Sequence, residues 1–425
     1  MPKRTDIKRV LVIGSGGREH ALAWRLKRSA SVAQVFAAPG NPGVAREAVC
    51  LEGSDYLAMA AANGIDLTVV GPEAPLMDGV VDQFRDAGRA IFGPCRAAAQ
   101  LEGSKIFSKQ FFERYQIPTA RFVAAYSLDE ALLALDSFTA PVVLKADGLA
   151  AGKGVVIPQT MDEARATVAQ FMAGELVGDA GKKLVIEEFL VGEEVSFIAL
   201  SDGSNLVPLL PAQDHKNIFD GDRGPNTGGM GAYVDERILT TAEIELVMKT
   251  VMRPAIEGMA KEGSPFVGFL YAGLMMTADG PKTLEFNVRM GDPETQPLLY
   301  RLRSDLGLVL HAGATGKLAG VTLDWSPEPS VAVVLASSGY PGKVRTGDVI
   351  SGIDEAEATG ATVFQAGVKR AGESLVTSGG RVVAVTASGT TLPDAIDAAY
   401  RAAAHVKFDG MQYRKDIGKK GLRRW

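Results

Sequence analysis

From Val10 to about Gly103 short apolar strands alternate with helices, and each strand runs into a loop rich in glycine or proline. The strands read VLVI at 10–13, QVFAA at 34–38, LTVV at 67–70 and AIF at 90–92, with helices expected from about Glu19, around Tyr56 and from about Asp78. A helix placed between two strands returns the chain to run parallel, so this segment predicts a doubly wound parallel sheet. Ligands of such sheets bind beyond the carboxyl ends of the strands. The loops GSGGREH at 14–20, PGNPG at 39–43 and GPEAPL at 71–76 are therefore expected to line one crevice.

The first loop does not complete a dinucleotide fingerprint. Gly14 and Gly16 fit, but Glu19 stands at the third glycine position, and the second strand ends in Ala-Ala-Pro-Gly where an acidic residue would hold a ribose. Gly16 and Gly17, with Arg18 at a helix start, still offer an anion site suited to a single phosphate; a tight turn without a ligand is the alternative.

A second region runs from about Ser104 to Glu328. A helix at 105–115, the strand RFVAA, a helix near 127–135 and the strand VVLK lead into KADGLAAGKGVVI at 145–157. Glycines let backbone N–H groups approach anionic oxygens, and Lys145 and Lys153 bring positive charge from two directions, which points to a nucleoside triphosphate. A P-loop is excluded: three residues, not four, separate Gly148 from Gly152, and Gly154 replaces the magnesium-binding hydroxyl. Val155, Val156 and Ile157 read as a strand, so the loop is a hairpin flap, and an ordinary hairpin with exposed lysines fits the loop taken alone.

A helix at 161–173 and the strand LVIEEFL at 184–190 follow, then the pair Glu193 and Glu194. The strand end offers backbone groups to an adenine edge and carboxylates to ribose hydroxyls; solvated glutamates on an exposed edge are the bland alternative. The polar stretch at 214–233 is too long for an ordinary connector and is expected to be functional. A helix at about 241–262, a strand pair spanning 267–286 and a helix at 306–316 complete the region. Trp325, Pro327 and Pro329 mark a boundary, beyond which short Val/Ala strands and one helix near 392–404 predict an α+β cap.

The densest chemistry lies in LEFNVRMGDPETQ at 284–296. Strand alternation puts Glu285, Asn287 and Arg289 on one face. A carboxylate and an amide oxygen suit magnesium, which takes few protein ligands and fills its shell with phosphate oxygens and water. Arg289 is placed to neutralise charge on a transferring phosphoryl group. Asp292 and Glu294 flank Pro293 in a turn, where capping is the competing role. No nucleophilic constellation or zinc spacing can be built from His20, His215, His311 and His405; His215, between Asp214 and Lys216, is the one worth testing.

With 425 residues the chain exceeds one core and predicts two to four domains. A net charge of −5 argues against a nucleic-acid surface. Cys50 and Cys95 lie far apart, which suits reduced thiols in a cytoplasmic protein, and no apolar run reaches membrane-spanning length. The basic start MPKRTDIKR leads into a strand too short for a signal-peptide core.

Together GSGGREHAL, APGNPG, VGPEAPL, LEGSK at 101–105, KADGLAAGKGV, IEEFL, the DHK and PNTGGMGAY of the long stretch, GFLYAGLM, EFN, GDPETQP and YRKDIG at 413–418 resemble the phosphoribosylamine–glycine ligases of the ATP-grasp superfamily. The matches run in order over nearly the whole chain. The resemblance implies an α/β and α+β multidomain protein: a Rossmann-like pre-ATP-grasp domain at 1–103, an ATP-grasp body at 104–328 with a mobile lid at about 121–190, and a small C-terminal α+β domain at 329–425. It implies ATP-dependent ligation of glycine to 5-phosphoribosylamine through glycyl phosphate, in purine biosynthesis, with Mg2+ or Mn2+. By matching positions Lys105, Lys145, Gly148, Gly152, Lys153 and Gly154 would hold ATP phosphates, Glu187, Glu188, Phe189 and Leu190 the adenine, and Glu194 the ribose. Glu285 and Asn287 would hold the metal; Arg289, Asp292 and Lys145 would act on the reacting groups; Gly16, Gly17, Asn41, Glu73, Asp214 and Arg289 would face substrate.

The implied partners are the two small substrates, with no nucleic acid and no membrane; a transient contact with the enzyme supplying phosphoribosylamine is left open. Two departures stand out: a segment after PGNPG shorter than in typical members, and Met290 where an aromatic residue is common. The flap at 148–154 is expected to close on ATP and exclude water. Another ATP-grasp enzyme using bicarbonate, a dinucleotide oxidoreductase and a non-catalytic nucleotide sensor are the competing readings.

Overall fold

The computed structural model describes residues 7–148 and 154–424. Five strands, β1 (Arg9–Gly14), β2 (Gln34–Pro39), β3 (Val49–Cys50), β4 (Leu67–Val70) and β5 (Ile91–Phe92), form a sheet of order β3-β2-β1-β4-β5, parallel at every pairing. β1 is buried at five of its six positions because helices cover both faces. The chain leaves β1 toward β2 on one side and β4 on the other, and this reversal opens the crevice. Its loops touch: Gly40 N–H donates to Gly14 O at 3.1 Å and Gly71 N–H to Ile13 O at 3.0 Å.

Four strands, β6 (Phe122–Ala125), β7 (Val142–Ala146), β8 (Val155–Val156) and β9 (Leu184–Glu188), make an antiparallel sheet of order β6-β9-β7-β8. Helices Leu128–Leu135 and Met161–Met172, capped by the hydroxyls of Ser127 and Thr160, lie against it. Leu135, Leu144, Val168, Phe171 and Ile186 enclose a core separate from the two larger ones. Lys153 and Gly152, expected to touch phosphates, lie outside the described residues, as does most of the flap.

The remaining strands are β10 (Glu193–Asp202), β11 (Leu206–Pro208), β12 (Ala212–Asp214), β13 (Asn217–Phe219), β14 (Arg223–Asn226), β15 (Gly231–Val234), β16 (Val267–Thr277), β17 (Gly280–Asn287), β18 (Ser330–Ala336), β19 (Val349–Ile350), β20 (Thr362–Gln365), β21 (Val368–Ala371), β22 (Ser374–Thr377) and β23 (Arg381–Ser388). Most join one antiparallel sheet of order β17-β16-β10-β12-β15-β18-β23-β20, with β11 on β10. The sheet continues across the Pro327–Pro329 boundary because β15 pairs β18 from Gly231↔Val333 to Val234↔Ser330. The polar stretch at 214–233 is ordered as the β13–β14 hairpin and the turn into β15, and the helix at about 241–262 contains a π-helical turn at Met248–Met252. A helix over Thr295–Arg301 was not signalled by the sequence; it packs on the helix Gly17–Lys27 and ties the crevice to the large sheet.

Candidate active site

β17 shows the anticipated alternation. Phe286, Val288 and Met290 are buried, whereas Glu285, Asn287 and Arg289 are only partly buried on the opposite face. Gly273 lies across from Glu285, and a Cβ there would come 3.5 Å from the carboxylate's Cγ. Burial pushes the Glu285 carboxyl up, but Lys216, Lys145, Lys105 and Arg289 outweigh it and hold the group below its usual range. The Asn287 oxygen accepts from Arg289 Nη2 at 3.1 Å and keeps a second lone pair. An ionised carboxylate beside an amide oxygen, ringed by four cations, fits a divalent cation bridging to a polyanion. Among the described residues no group of three or more His, Cys, Asp or Glu could hold a metal, so a metal here would rely on substrate oxygens.

Lys145 reaches this face from the lid. Its ammonium donates to Leu284 O at 3.0 Å, one residue before Glu285, and pairs with Glu187 Oε1 at 2.9 Å. Glu187 Oε2 pairs with Lys109 at 2.9 Å, and Lys109 donates to Thr119 Oγ1 at 2.6 Å. Glu187 therefore spends its carboxylate inside the protein on two lysines, while its backbone is paired to β6 and β7. Phe189 is 43% exposed and Leu190 half-buried beyond it, and Glu188 accepts from Arg121 N–H at 2.8 Å. Lys105 donates to Gly148 O at 3.0 Å, Ala146 N–H donates to Gly154 O at 2.8 Å, and Asp147 accepts from Ser104 Oγ and Ile106 N–H at 2.9 and 3.1 Å. The Asp147–Gly148 end of the flap is thereby fixed to the start of the helix Lys105–Arg114, and the Gly154 end to β7.

The crevice meets β17 through Arg289. Its guanidinium lies 2.7 Å from Glu102 and 3.4 Å from Glu73, and Glu102 also accepts from Val288 N–H at 2.8 Å. Asp292 abuts the first loop: a Cβ on Gly16 or Gly17 would come 3.8 or 3.9 Å from its oxygens. Gln296 donates to Asp292 at 2.9 Å, and Arg381 of β23 lies 3.2 Å from its other oxygen. Burial pushes Asp292 up, but Arg381, Arg18, the Gln296 hydrogen bond and Arg289 hold it below the usual range.

The Gly16 N–H, expected to serve an anion, is taken by the Glu19 carboxylate at 2.5 Å, which caps the start of its own helix from the third position while Gly16 has no side chain to reciprocate. Both glycines have packing reasons as well, since a Cβ would come 2.8 Å from Glu19 and 2.7 Å from Gln296. Asn41 donates to Ser15 O and Gln365 O at 2.7 and 2.8 Å and accepts from Gly43 and Val44 N–H, so it braces the loop.

Glu194 pairs with Lys216 at 2.8 Å. Burial pushes the Asp214 carboxyl up to about 7, with Glu294 and Glu194 adding to the rise and Lys216 opposing it. Glu294 caps nothing; buried, it accepts from Ser196 at 2.9 Å and Tyr271 at 2.8 Å. His215 is fully buried beside Tyr233 and, by burial first and then Lys420 and Arg414, pushed down to about 3. A cavity of about 710 Å3 separates Val155 and Ile157 of the lid from Asn217, Thr227, Gly228 and Tyr340. Sequence reasoning missed Glu102, Lys109 and Arg381. Only Glu102, in the LEGSK motif, carried a local signal.

A small antiparallel sheet beside a strand presenting a carboxylate and an amide, together with a Rossmann-like sheet, defines an ATP-grasp protein. Descriptions of phosphoribosylglycinamide synthetase match in three consecutive parts: the N domain over residues 8–102, the ATP-grasp (A) domain over 103–295 and the C domain over 330–420. The phosphoribosylamine–glycine ligase of Pseudomonas aeruginosa is 50% identical over 422 residues, 98% of each chain, and that of Yersinia pestis is 50% identical over 425 residues, 98% of this chain and 99% of the relative. The crystal structure of the Thermotoga maritima ligase, 36% identical, superposes with a TM-score of 0.85 over 96% of this chain and all of that one. The biotin carboxylase domain of Hydrogenobacter thermophilus 2-oxoglutarate carboxylase reaches a TM-score of 0.70 over 96% of this chain and 92% of that one, at 18% identity, a likeness of fold alone. The chain belongs to the phosphoribosylglycinamide synthetase family.

Proposed function

We propose that this protein ligates free glycine to 5-phosphoribosylamine at the expense of ATP; its 50% identical relatives carry the name phosphoribosylamine–glycine ligase, and ATP is the reagent of the matched ATP-grasp domain. The observation that carries the reading is the convergence of Lys105, Lys145, Lys216 and Arg289 on Glu285, which supplies charge for a triphosphate without any side-chain nucleophile. A carboxylate oxygen of glycine attacks the γ-phosphorus, the bond to the β-phosphate oxygen breaks, and ADP leaves. The substrate's amine then attacks the acyl carbon of glycyl phosphate, phosphate departs and the amine loses a proton. Such chemistry needs positioning, charge neutralisation and shielding from water.

In this proposal Lys105 and Lys145, with Gly148, Gly152, Lys153 and Gly154 of the flap, hold the phosphates. Glu188 through Leu190 border the adenine, with Glu187 setting Lys145 in place from behind, and Glu194 takes the ribose. Glu285 and Asn287 would hold magnesium or manganese, whose chemistry is to neutralise phosphate oxygens. Arg289 faces the transferring phosphoryl group. Asp292, kept ionised, faces the cationic end of an amino acid, and Gly16, Gly17, Glu73 and Asp214 border the phosphoribosylamine, with Asn41 bracing the first of these loops. The domain limits 1–103, 104–328 and 329–425, a lid at about 121–190 and a cytoplasmic location belong to the same proposal. Among the described residues no helix is long and apolar enough to cross a membrane.

Phosphate release with ATP, glycine and freshly prepared phosphoribosylamine tests the reading. Release should require both co-substrates. Turnover with bicarbonate in place of glycine would instead make the chain a carboxylating member of the same fold.

A further inference from the structure

The large sheet places residues from beyond Pro329 against the turn that leads into β15. Gly228 in that turn is held at both ends of its own backbone. Its N–H donates to the Tyr340 hydroxyl at 2.9 Å, and its carbonyl accepts from Arg381 Nη1 at 2.5 Å. The same Nη1 donates to Asp292 O at 2.5 Å, and Nη2 lies 3.2 Å from Asp292 Oδ2. One guanidinium thus spans the turn and the acidic residue beside the first glycine loop.

The surrounding glycines are those this grip requires. A Cβ on Gly228 would come 3.0 Å from Arg381 Cζ, and one on Gly380 would strike the Tyr340 ring at 2.3 Å. Gly229, at φ +110°, would bring a Cβ within 2.4 Å of Pro293, so the turn and the segment 291–293 are in direct contact. Tyr340 and Gly228 also line the 710 Å3 cavity facing the lid.

We propose that Arg381, assisted by Tyr340, is a positioning residue for the ligation: it fixes the Asp292 carboxylate and the Thr227–Gly229 turn as one unit, so that the region beyond Pro329 sets the geometry of the substrate side of the site. The inference rests on the glycine-ligating function proposed above. A planar, always charged fork is the group that can hold two carbonyls and a carboxylate oxygen together, and lysine cannot reproduce it. The phosphate-facing lysines and Glu285 are held by other contacts, so nucleotide binding should not depend on Arg381.

The test compares wild type with Arg381→Gln, Arg381→Lys and Tyr340→Phe, measuring initial rates with glycine and phosphoribosylamine varied separately. Affinity for a non-hydrolysable ATP analogue with magnesium is measured in parallel. Expected for Arg381→Gln is a fall of about 30-fold or more in kcat/KM for glycine, the scale of one lost charge-assisted contact. Analogue affinity should stay within about twofold, the lysine variant should recover little, and Tyr340→Phe should lose less, since one neutral hydrogen bond goes. The acid limb of kcat/KM should move to higher pH in Arg381→Gln, because Arg381 is the strongest of the groups holding Asp292 ionised, with Arg18, Gln296 and Arg289 remaining.

Wild-type kcat/KM and an unmoved acid limb in Arg381→Gln would overturn the inference. Equal losses of analogue affinity and of kcat/KM would overturn it too, assigning Arg381 to general stability. A wild-type enzyme that fails to use glycine would sink the functional reading itself, a separate outcome.

Discussion

Replacing Glu187 by glutamine tests the arrangement at the root of the lid. The wild-type carboxylate sits 2.9 Å from both Lys109 and Lys145, with side-chain exposures of 2%, 3% and 7% for the three groups. Glutamine keeps the volume but takes from two buried ammonium groups the carboxylate they touch, leaving them only the more distant Glu285 as a counter-charge. Breaking a buried pair by removing one partner costs about 3–5 kcal/mol, far above the cost of losing an exposed one. Burial pushes the Lys109 ammonium down to about 8 even with Glu187 opposing the shift. Without Glu187 the group must fall further. Its folded pKa lies below the unfolded value in both proteins, so in each the unfolded chain binds more protons and stability rises with pH through the window between the two. The part of the deficit due to Lys109 is therefore full below the variant's lower pKa, shrinks as pH rises from there to about 8, and is gone above it.

Hydrogen exchange of β7 and β9, at pH 7 and at pH 9, reads this locally. The opening free energy of these strands should drop by about 3 kcal/mol or more at pH 7 and by less at pH 9, while Glu188→Gln, a half-buried carboxylate that accepts from the Arg121 N–H, should lose markedly less. KM for ATP should rise as well, since Lys145 loses a partner that aims it. A deficit under about 1 kcal/mol at pH 7, or one that does not shrink with pH, would refute the reasoning.

Glu285→Ala should lower ligation by at least about 100-fold, the scale for removing one preorganised charge-bearing group, with a circular-dichroism melt close to wild type; wild-type turnover would remove Glu285 from the site. Gly229→Ala places a side chain at φ +110° and 2.4 Å from Pro293, so it should destabilise by about 2–5 kcal/mol from backbone strain and overpacking, seen as a lower urea midpoint. His20 is pushed down to about 3 by burial first, then by Arg46 and Arg28, and its Nδ1 accepts from Gln365 N–H at 2.8 Å. Its folded pKa lies below the unfolded value of 6.5, so the unfolded chain binds the extra proton and stability falls as pH drops from 6.5 toward 3. Between pH 7 and pH 5 this amounts to about 2 kcal/mol, and His20→Gln, which keeps an acceptor without titrating, should flatten the slope by that amount in urea melts at the two pH values.

The parallel sheet and the strand carrying the carboxylate–amide pair were legible because their signals are local: apolar runs broken by glycine turns, and a period of two that sets Glu285, Asn287 and Arg289 on one face. The helix at Thr295–Arg301 was not, since a proline within PETQPLLYR hides its periodicity. A glycine pair at a helix start points to an anion site, and only the folded structure gives the Gly16 N–H its partner within the protein, the Glu19 carboxylate.

The order of residues alone determined the fold class, the flap composition and the pair of oxygen donors, because each is written in the spacing of near neighbours. Tertiary structure decided which partner each charge received. Lys109 meets Glu187 across 78 positions and Arg381 meets Asp292 across 89, distances over which no periodicity carries information. A buried charge must find an opposite one wherever packing brings it, so those pairings, and with them the positioning of Lys145 and Asp292, exist only once the sheets have closed.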